Sequence, residues 1–438
     1  MAPTPRSAAL VYGFATALGM WTLGFVARMP AGLLPGALIL AGMLAVLGLG
    51  GRAAARASGG GFGVGAATGL VASIVNLLIL GSLISGDQPN RVAPSAAIWL
   101  PASLAFGALV AGVGGFLGRR AGASERPREA TSVLARVAAA ATLMLLLIGG
   151  LVTSHDAGLA VVDWPNSYRY QMFLFPLAKM TGGIYWEHSH RLFGSLVGLT
   201  TVVLALRVWI KERGAGVKAA AAFAVLLVVG QGILGGLRVT GHFTWSDSPD
   251  ETNPSLVLAM IHGTTGQIFF AWMVGLAAAL SRTWRDAERV PGGGPDRALT
   301  ATLVTVLLCQ LLLGVRLRHL GAGAMIHITV GTLAAAIATI VAVRLLGSFD
   351  HIPVLRKTGG ALMGHVWTQI VLGGIAYLAV NLRIAGEPAG PFEVAAATAH
   401  QTVGALLLAN AVLAWLWTRR LLSTTAARPA PSGQPVAS

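Results

Sequence analysis

The sequence predicts an all-α integral membrane protein of about twelve transmembrane helices. Three observations predict it: many apolar runs of roughly 20 residues, a scarcity of charge, and Arg and Lys gathered in alternate short loops. Hydrophobic residues make up 55% of the 438 and charged residues 11%, whereas a soluble domain carries about 25% charged residues. The mean hydropathy is +0.72. About 20 apolar residues are needed for a helix to cross about 30 Å of hydrocarbon. The richness in Gly, Ala and Leu suits close helix packing in lipid.

Twelve spans are expected, at 8–27, 32–50, 62–85, 96–118, 134–153, 187–208, 217–237, 256–280, 299–316, 322–346, 361–380 and 392–417. The net charge is +15. In a soluble protein this would suggest nucleic acid. Here the cations lie in short loops between apolar runs, so they read as a topology signal, with no nucleic-acid partner. Arg52 and Arg56 follow the second span. Arg119, Arg120, Arg126, Arg128 and Arg136 surround the fourth-to-fifth connection. Arg207, Lys211, Arg213 and Lys218 follow the sixth, Arg282, Arg285, Arg289 and Arg297 the eighth, Arg344, Arg356 and Lys357 the tenth, and Arg419 and Arg420 the twelfth. Even-numbered spans therefore end on the positive, cytoplasmic side, and both termini are expected in the cytoplasm.

The opposite loops are long and aromatic at 154–183 and acidic at "SDSPDETNP". The Pro/Ser-rich end, 421–438, is expected to be a disordered cytoplasmic tail. The single cysteine, Cys309, excludes an intramolecular disulfide and a cysteine metal cluster. No convincing cleavage site follows the first apolar run, so it reads as a retained helix.

The region after residue 130 contains an internal repeat. "GQGILGGLRV" at 230–239 resembles "TQIVLGGIAYL" at 368–378, and "CQLLLGVRLR" is a weaker copy. Gln231 and Gln369 are 138 residues apart, His190 and His327 are 137 apart, and His262 and His400 are 138 apart. Residues 130–290 and 297–420 read as two copies of a four-helix unit. Residues 1–125 lack such histidines and read as a separate four-helix addition.

His190, His262, His327 and His400 each lie a few residues in from the outer end of an even-numbered helix. Two imidazoles at one depth on facing helices can ligate one metal from opposite sides. In an apolar bundle that occupant is haem, whose iron takes two axial histidines. Zinc would want three or four ligands together, and these come in pairs. A single such histidine would read as an interhelical hydrogen-bond partner. Four in register read as ligands, because ionisable groups inside a membrane mark function.

Glu187 precedes His190 by three residues and shares its helix face. The matching positions before the other histidines are Ala259, Ala324 and Ala397. Two readings stand for Glu187: a residue favoured by the helix dipole, or a catalytic carboxylate facing a porphyrin. Arg191, Arg238, Arg316 and Arg318 sit at outer helix ends, either binding haem propionates or snorkelling to the interface. Gln231, Gln310 and Gln369, each one helix before a histidine, read as interhelical hydrogen-bonding groups. His155, His188, His242, His319 and His351 read mostly as solvated, His188 being able to touch a bound group. His365 lies at the wrong depth.

"LLIGGLVTSHDAGLAVVDWP" followed by "EHSHRLFGSLVGL" resembles the haem A synthase family, whose members carry "GxxVTSxxAGLAxxDWP" and "ExxHRxxG". The resemblance covers about 134–417. It implies two pseudo-symmetric four-helix bundles, the first binding substrate haem O and the second a haem b cofactor. It implies oxidation of a porphyrin methyl group of haem O to a formyl group, giving haem A for terminal oxidases in the cell's inner membrane. Carried over by motif, Glu187 is the catalytic residue, His190 and His262 serve the substrate half, and His327 and His400 hold the cofactor. Expected partners are lipid and, in assembly, haem O synthase and the terminal oxidase. The chain departs from the family pattern in lacking an outer-loop cysteine pair and in carrying Ser195 and Ile328 where arginines are common. A di-haem electron-transfer subunit without porphyrin chemistry is the alternative, disfavoured by the carboxylate in one half alone. A transporter is disfavoured because the two copies share one orientation.

Overall fold

A computed structural model describes residues 3–81, 90–122, 129–242, 253–291, 293–384 and 387–423, apart from 31 and 33. Every regular element among them is helical. Twelve helices are long and apolar enough to cross a membrane: α1 (Pro5–Ala27), α2 (Gly36–Ser58), α3 (Phe62–Leu80), α4 (Ala96–Arg120), α5 (Ala130–Ser154), α6 (Gly182–Lys211), α7 (Ala215–Thr240), α8 (Leu256–Ala279), α10 (Gly294–Leu320), α11 (Ala324–Gly347), α12 (Pro353–Asn381) and α13 (Pro391–Leu421), with the single turn α9 (Arg282–Arg285) between α8 and α10. Most of the acidic outer loop (246–252), Arg126, Arg128 and the tail from 424 lie outside the described residues.

Several helices run past the apolar segments that announced them. α6 begins at Gly182, five residues before the expected start, and α12 begins at Pro353 rather than 361. Proline is accepted at a helix start because its missing N–H has no intrahelical role there. Polar and aromatic residues at the water boundary extend these helices without belonging to the hydrocarbon run. Short-range chemistry sets some ends. Thr4 caps α1 by accepting from the Ser7 N–H, and Ser255 caps α8 by accepting from the Leu258 N–H.

The chain forms two compact units: Met1–Arg282 with Leu372–Thr402, and Thr283–Val371 with Val403–Ser438. In the first, α1, α2, α3 and α4 pack through glycines. A Cβ at Gly51 would lie 1.9 Å from the Ala111 carbonyl oxygen, and one at Gly69 would lie 2.1 Å from that of Gly107. Close backbone approach of this kind is how helices associate in lipid. The buried Trp21 indole donates to Asn76 Oδ1 at 3.0 Å, tying α1 to α3. The lower half of α1 then meets α6. Phe25 stacks on Tyr185 and meets Trp186 and Phe193 edge-on, while the Tyr185 hydroxyl donates to the Phe25 carbonyl. Beyond α4, α5 packs against α6 and α8, and α7 against α6 and α8. From the C-terminal part of this unit, Thr398 donates to Ser154 at 3.1 Å in a buried contact.

In the second unit α10 packs on α11. The Arg344 guanidinium forks the buried Asp296 carboxylate, with Nη2 to Oδ2 at 3.1 Å. Thr300 meets Thr418 at 3.0 Å, and Asn410 donates to the Thr358 carbonyl at 3.2 Å.

The glycine packing gives a paired test. Gly51→Leu must push α2 from α4, whereas a Cβ at Gly48 meets nothing within 4 Å. Overpacking costs about 1–3 kcal/mol. Thermal unfolding of the purified protein in detergent should show a clear drop in midpoint for Gly51→Leu and little change for Gly48→Leu.

Candidate functional site

α6 and α8 stand diagonally in the ring of contacts made by α5 to α8, and a histidine from each reaches across it. The His190 and His262 rings lie 6.2 Å apart, centre to centre, at 83° to one another. A metal–nitrogen bond of about 2 Å on each side and about 1.1 Å from ring nitrogen to ring centre give roughly the same span. Two opposed imidazoles are the donor set of six-coordinate haem. Among the described residues no group of three or more His, Cys, Asp or Glu side chains could hold a metal ion. The Nδ1 atoms of His190 and His262 are buried without a hydrogen-bond partner.

Each of the four histidines packs on a glycine of the preceding helix. A Cβ at Gly149 of α5 would lie 3.0 Å from His190 Cε1, and one at Gly235 of α7 would lie 3.5 Å from His262 Cε1. Gly314 of α10 faces His327 at 3.0 Å and Gly373 of α12 faces His400 at 3.0 Å. The second-half histidines therefore repeat the packing of the first. His327 belongs to the second compact unit and His400 to the first.

Over the N-terminal end of α6 lies the loop 155–181, and Arg191 organises it. Its Nη1 donates to the carbonyls of Asp163 (2.7 Å) and Asn166 (2.9 Å), and its Nη2 to the Val161 carbonyl (2.6 Å) and Glu187 Oε1 (2.9 Å). Glu187 is buried, and its other oxygen accepts from the Val161 N–H at 2.9 Å. This corrects the dipole reading of Glu187. The carboxylate lies in the second turn, and the dipole acts over the first. It also gives Arg191 partners in the loop, where the sequence offered propionate binding or snorkelling. The Asp163 carboxylate accepts from the N–H groups of Tyr168 and Arg169, two residues with positive φ. The Tyr168 hydroxyl donates to the Ala160 carbonyl. Burial, then the nearby Glu187 and Asp163 charges, hold that phenol above its usual pKa.

His188 is fully buried rather than solvated: Ser167 Oγ meets its Nδ1 at 3.1 Å and Phe175 packs against its ring. His155 is exposed but stacks on Trp186 at 4.5 Å. Trp164 of the loop lies on α7, where a Cβ at Gly236 would be 2.4 Å from the indole. The pair Gly235–Gly236 thus admits an imidazole on one side and an indole on the other. Arg238, one turn farther along α7, lays its guanidinium over Gly158, where a Cβ would be 1.9 Å from Nη2. Arg316 and Arg318 are exposed at the end of α10. Sequence reasoning missed Ser167, Phe175 and the glycines that face the histidine rings. The glycines had a signal, the spacing QxxxG repeated at 231, 310 and 369. Ser167 and Phe175 had none, because the loop has no period.

Residues 132–327 match the family described as cytochrome oxidase assembly protein. Three relatives carry the name heme A synthase. The one from Rhodopseudomonas palustris is 26% identical over 71% of this chain and 98% of its own length. The one from Maricaulis maris is 23% identical over 68% and 98%. The one from Erythrobacter litoralis is 25% identical over 43% and 62%.

Arg191→Lys removes the planar fork that bridges the loop carbonyls and Glu187, which a point charge does not replace. Hydrogen exchange at residues 161–170 should speed up tenfold or more, about 1.4 kcal/mol of lost protection. Unchanged exchange would show that the loop is held by other contacts.

Proposed function

We infer the reaction from the premise that the chain belongs to the haem A synthase family. It is a membrane oxidoreductase that converts haem O to haem A, oxidising a porphyrin methyl group to formyl for cytochrome oxidase biogenesis. The observation that carries this reading is the facing pair His190 and His262 with the buried Glu187 one turn outward from His190.

In this reading His190 and His262 hold substrate haem O, and His327 and His400 are the candidate ligands for a haem b cofactor. Haem supplies the redox chemistry, which side chains lack. The chain's own residues do the rest. The helix glycines let the imidazoles lie against the backbone and set their depth. Arg238 offers a guanidinium to a propionate. Arg191 and the Val161 N–H hold the Glu187 carboxylate aimed by a hydrogen bond to each of its oxygens. A fixed negative charge there favours positive charge developing on the porphyrin edge in a site the loop shields from water. Trp164 and Phe175 close that end with apolar surface. The chain sits as a multi-pass protein in the inner membrane with both termini in the cytoplasm, and haem O synthase and the oxidase assembly machinery are its partners. Residues 1–125 add four helices to the catalytic part, 130–290 and 297–420.

Purified protein, co-produced with haem O, should yield haem O or haem A together with haem b when its pigment is extracted and chromatographed. Haem b alone would favour an electron-transfer subunit, and no haem would overturn the reading. Glu187→Gln keeps the acceptor for Val161 but loses the charge. It should retain haem b while haem A formation falls about 10²–10⁴-fold. Formation at the normal rate would remove Glu187 from the chemistry.

A further inference from the structure

Residues 1–125 lie outside the stretch that matches the family, 132–327, and contain no histidine. Their helices α1–α4 nevertheless meet the site loop at three separate points. Arg28, just past α1, donates from Nη2 to the Leu177 carbonyl at 3.3 Å. Gly81, just past α3, lies so close to the loop that a Cβ would be 2.6 Å from the Phe173 carbonyl oxygen. Asn90, ahead of α4, holds the loop with both ends of its amide. Its Nδ2 donates to the Arg169 carbonyl at 3.1 Å, and its Oδ1 accepts from the Gln171 N–H at 2.5 Å.

The Asn90 grip is specific. One planar group offers a donor and an acceptor to the C=O and N–H on either side of Tyr170, as a neighbouring strand would. Aspartate would keep the acceptor and lose the donor. Asn90 itself has φ +62°, a region that asparagine enters more readily than most residues. Glycine would meet that backbone requirement, but it would supply neither bond.

The gripped residues lead inward. Tyr170 is buried and exchanges main-chain hydrogen bonds of 2.9 and 3.0 Å with Ser167, whose hydroxyl meets His188. The Arg169 N–H donates to the Asp163 carboxylate at 2.8 Å. The Asp163 carbonyl accepts from Arg191 at 2.7 Å, and Arg191 donates to Glu187 at 2.9 Å. Four hydrogen bonds therefore link Asn90 to Glu187.

We propose that the N-terminal four-helix addition is a built-in brace for the site loop, and that Asn90 is a positioning residue acting on Glu187 through Arg169, Asp163 and Arg191. Arg191 holds the loop at Val161, Asp163 and Asn166, and the N-terminal helices hold it between Arg169 and Leu177. A loop fixed in one stretch only is free to shift the partners of the carboxylate, and misplacing a reacting group by about 1 Å costs up to about 10²-fold in rate. The positioning role rests on the reading of Glu187 as the catalytic carboxylate. The brace does not.

The test uses the full chain, purified in detergent, with Asn90→Gly and Asn90→Asp. Hydrogen exchange at residues 163–171 should speed up about tenfold in Asn90→Gly and less in Asn90→Asp, while exchange in α2 stays as in the parent protein. In haem A formation, kcat should fall about tenfold in Asn90→Gly with KM for haem O unchanged, because His190 and His262 are untouched. Added to Glu187→Gln, Asn90→Gly should cost nothing further, since the two act as one unit. A further loss in that double variant, or faster exchange with kcat unchanged, overturns the positioning role. Unchanged exchange in Asn90→Gly overturns the brace, whatever reaction the protein catalyses. A parent protein that forms no haem A overturns the reading of the reaction and the positioning role together, and the exchange result alone then decides the brace.

Discussion

Arg191 is the group on which the outer end of the first unit depends. A guanidinium near hydrocarbon is costly unless its donors are met by protein. Here they are met by Glu187 and by the carbonyls of Val161, Asp163 and Asn166. Those acceptors belong to one loop and one helix, so satisfying the charge folds the loop onto α6. The loop then places Trp164 on Gly236, lays Gly158 under Arg238, and buries His188 behind Ser167 and Phe175. The same ion pair keeps a carboxylate one turn from His190 without leaving it an uncompensated charge.

A second constraint is steric. An imidazole between apolar helices has to lie flat against a neighbouring backbone to reach the centre of the bundle, and a side chain at the facing position would fill that space. Gly149, Gly235, Gly314 and Gly373 leave it open. The halves diverge at the next residue. Gly236 is covered by the Trp164 indole, whereas a Cβ at Gly374 meets nothing within 4 Å. The glycine–histidine packing therefore recurs at all four positions, while the Trp164 loop covers Gly236 alone of the pair Gly236 and Gly374.

The four N-terminal helices are not loosely attached. Phe25 and Trp21 of α1 pack into Tyr185, Trp186 and Phe193 of α6. Tyr185 and Trp186 immediately precede Glu187. Any partner that moved α1 would act on the helix turn that carries the carboxylate.

By itself the sequence determined the membrane class and the number of spans, because burial in lipid demands long apolar runs; the same background makes polar exceptions such as the four histidines visible. It also singled out Glu187, by its absence from the other three histidine helices. Helix limits were less legible, since α6 and α12 continue into the interface where hydropathy no longer marks them. The tertiary structure alone decided that Arg191 serves the loop, that His188 is buried, that Ser167 and Phe175 pack on it, and that Trp164 lies on α7. Those roles rest on an aperiodic loop brought onto helices by hydrogen bonds to its carbonyls. A carbonyl is the same in every residue, so no pattern of side chains could have announced it.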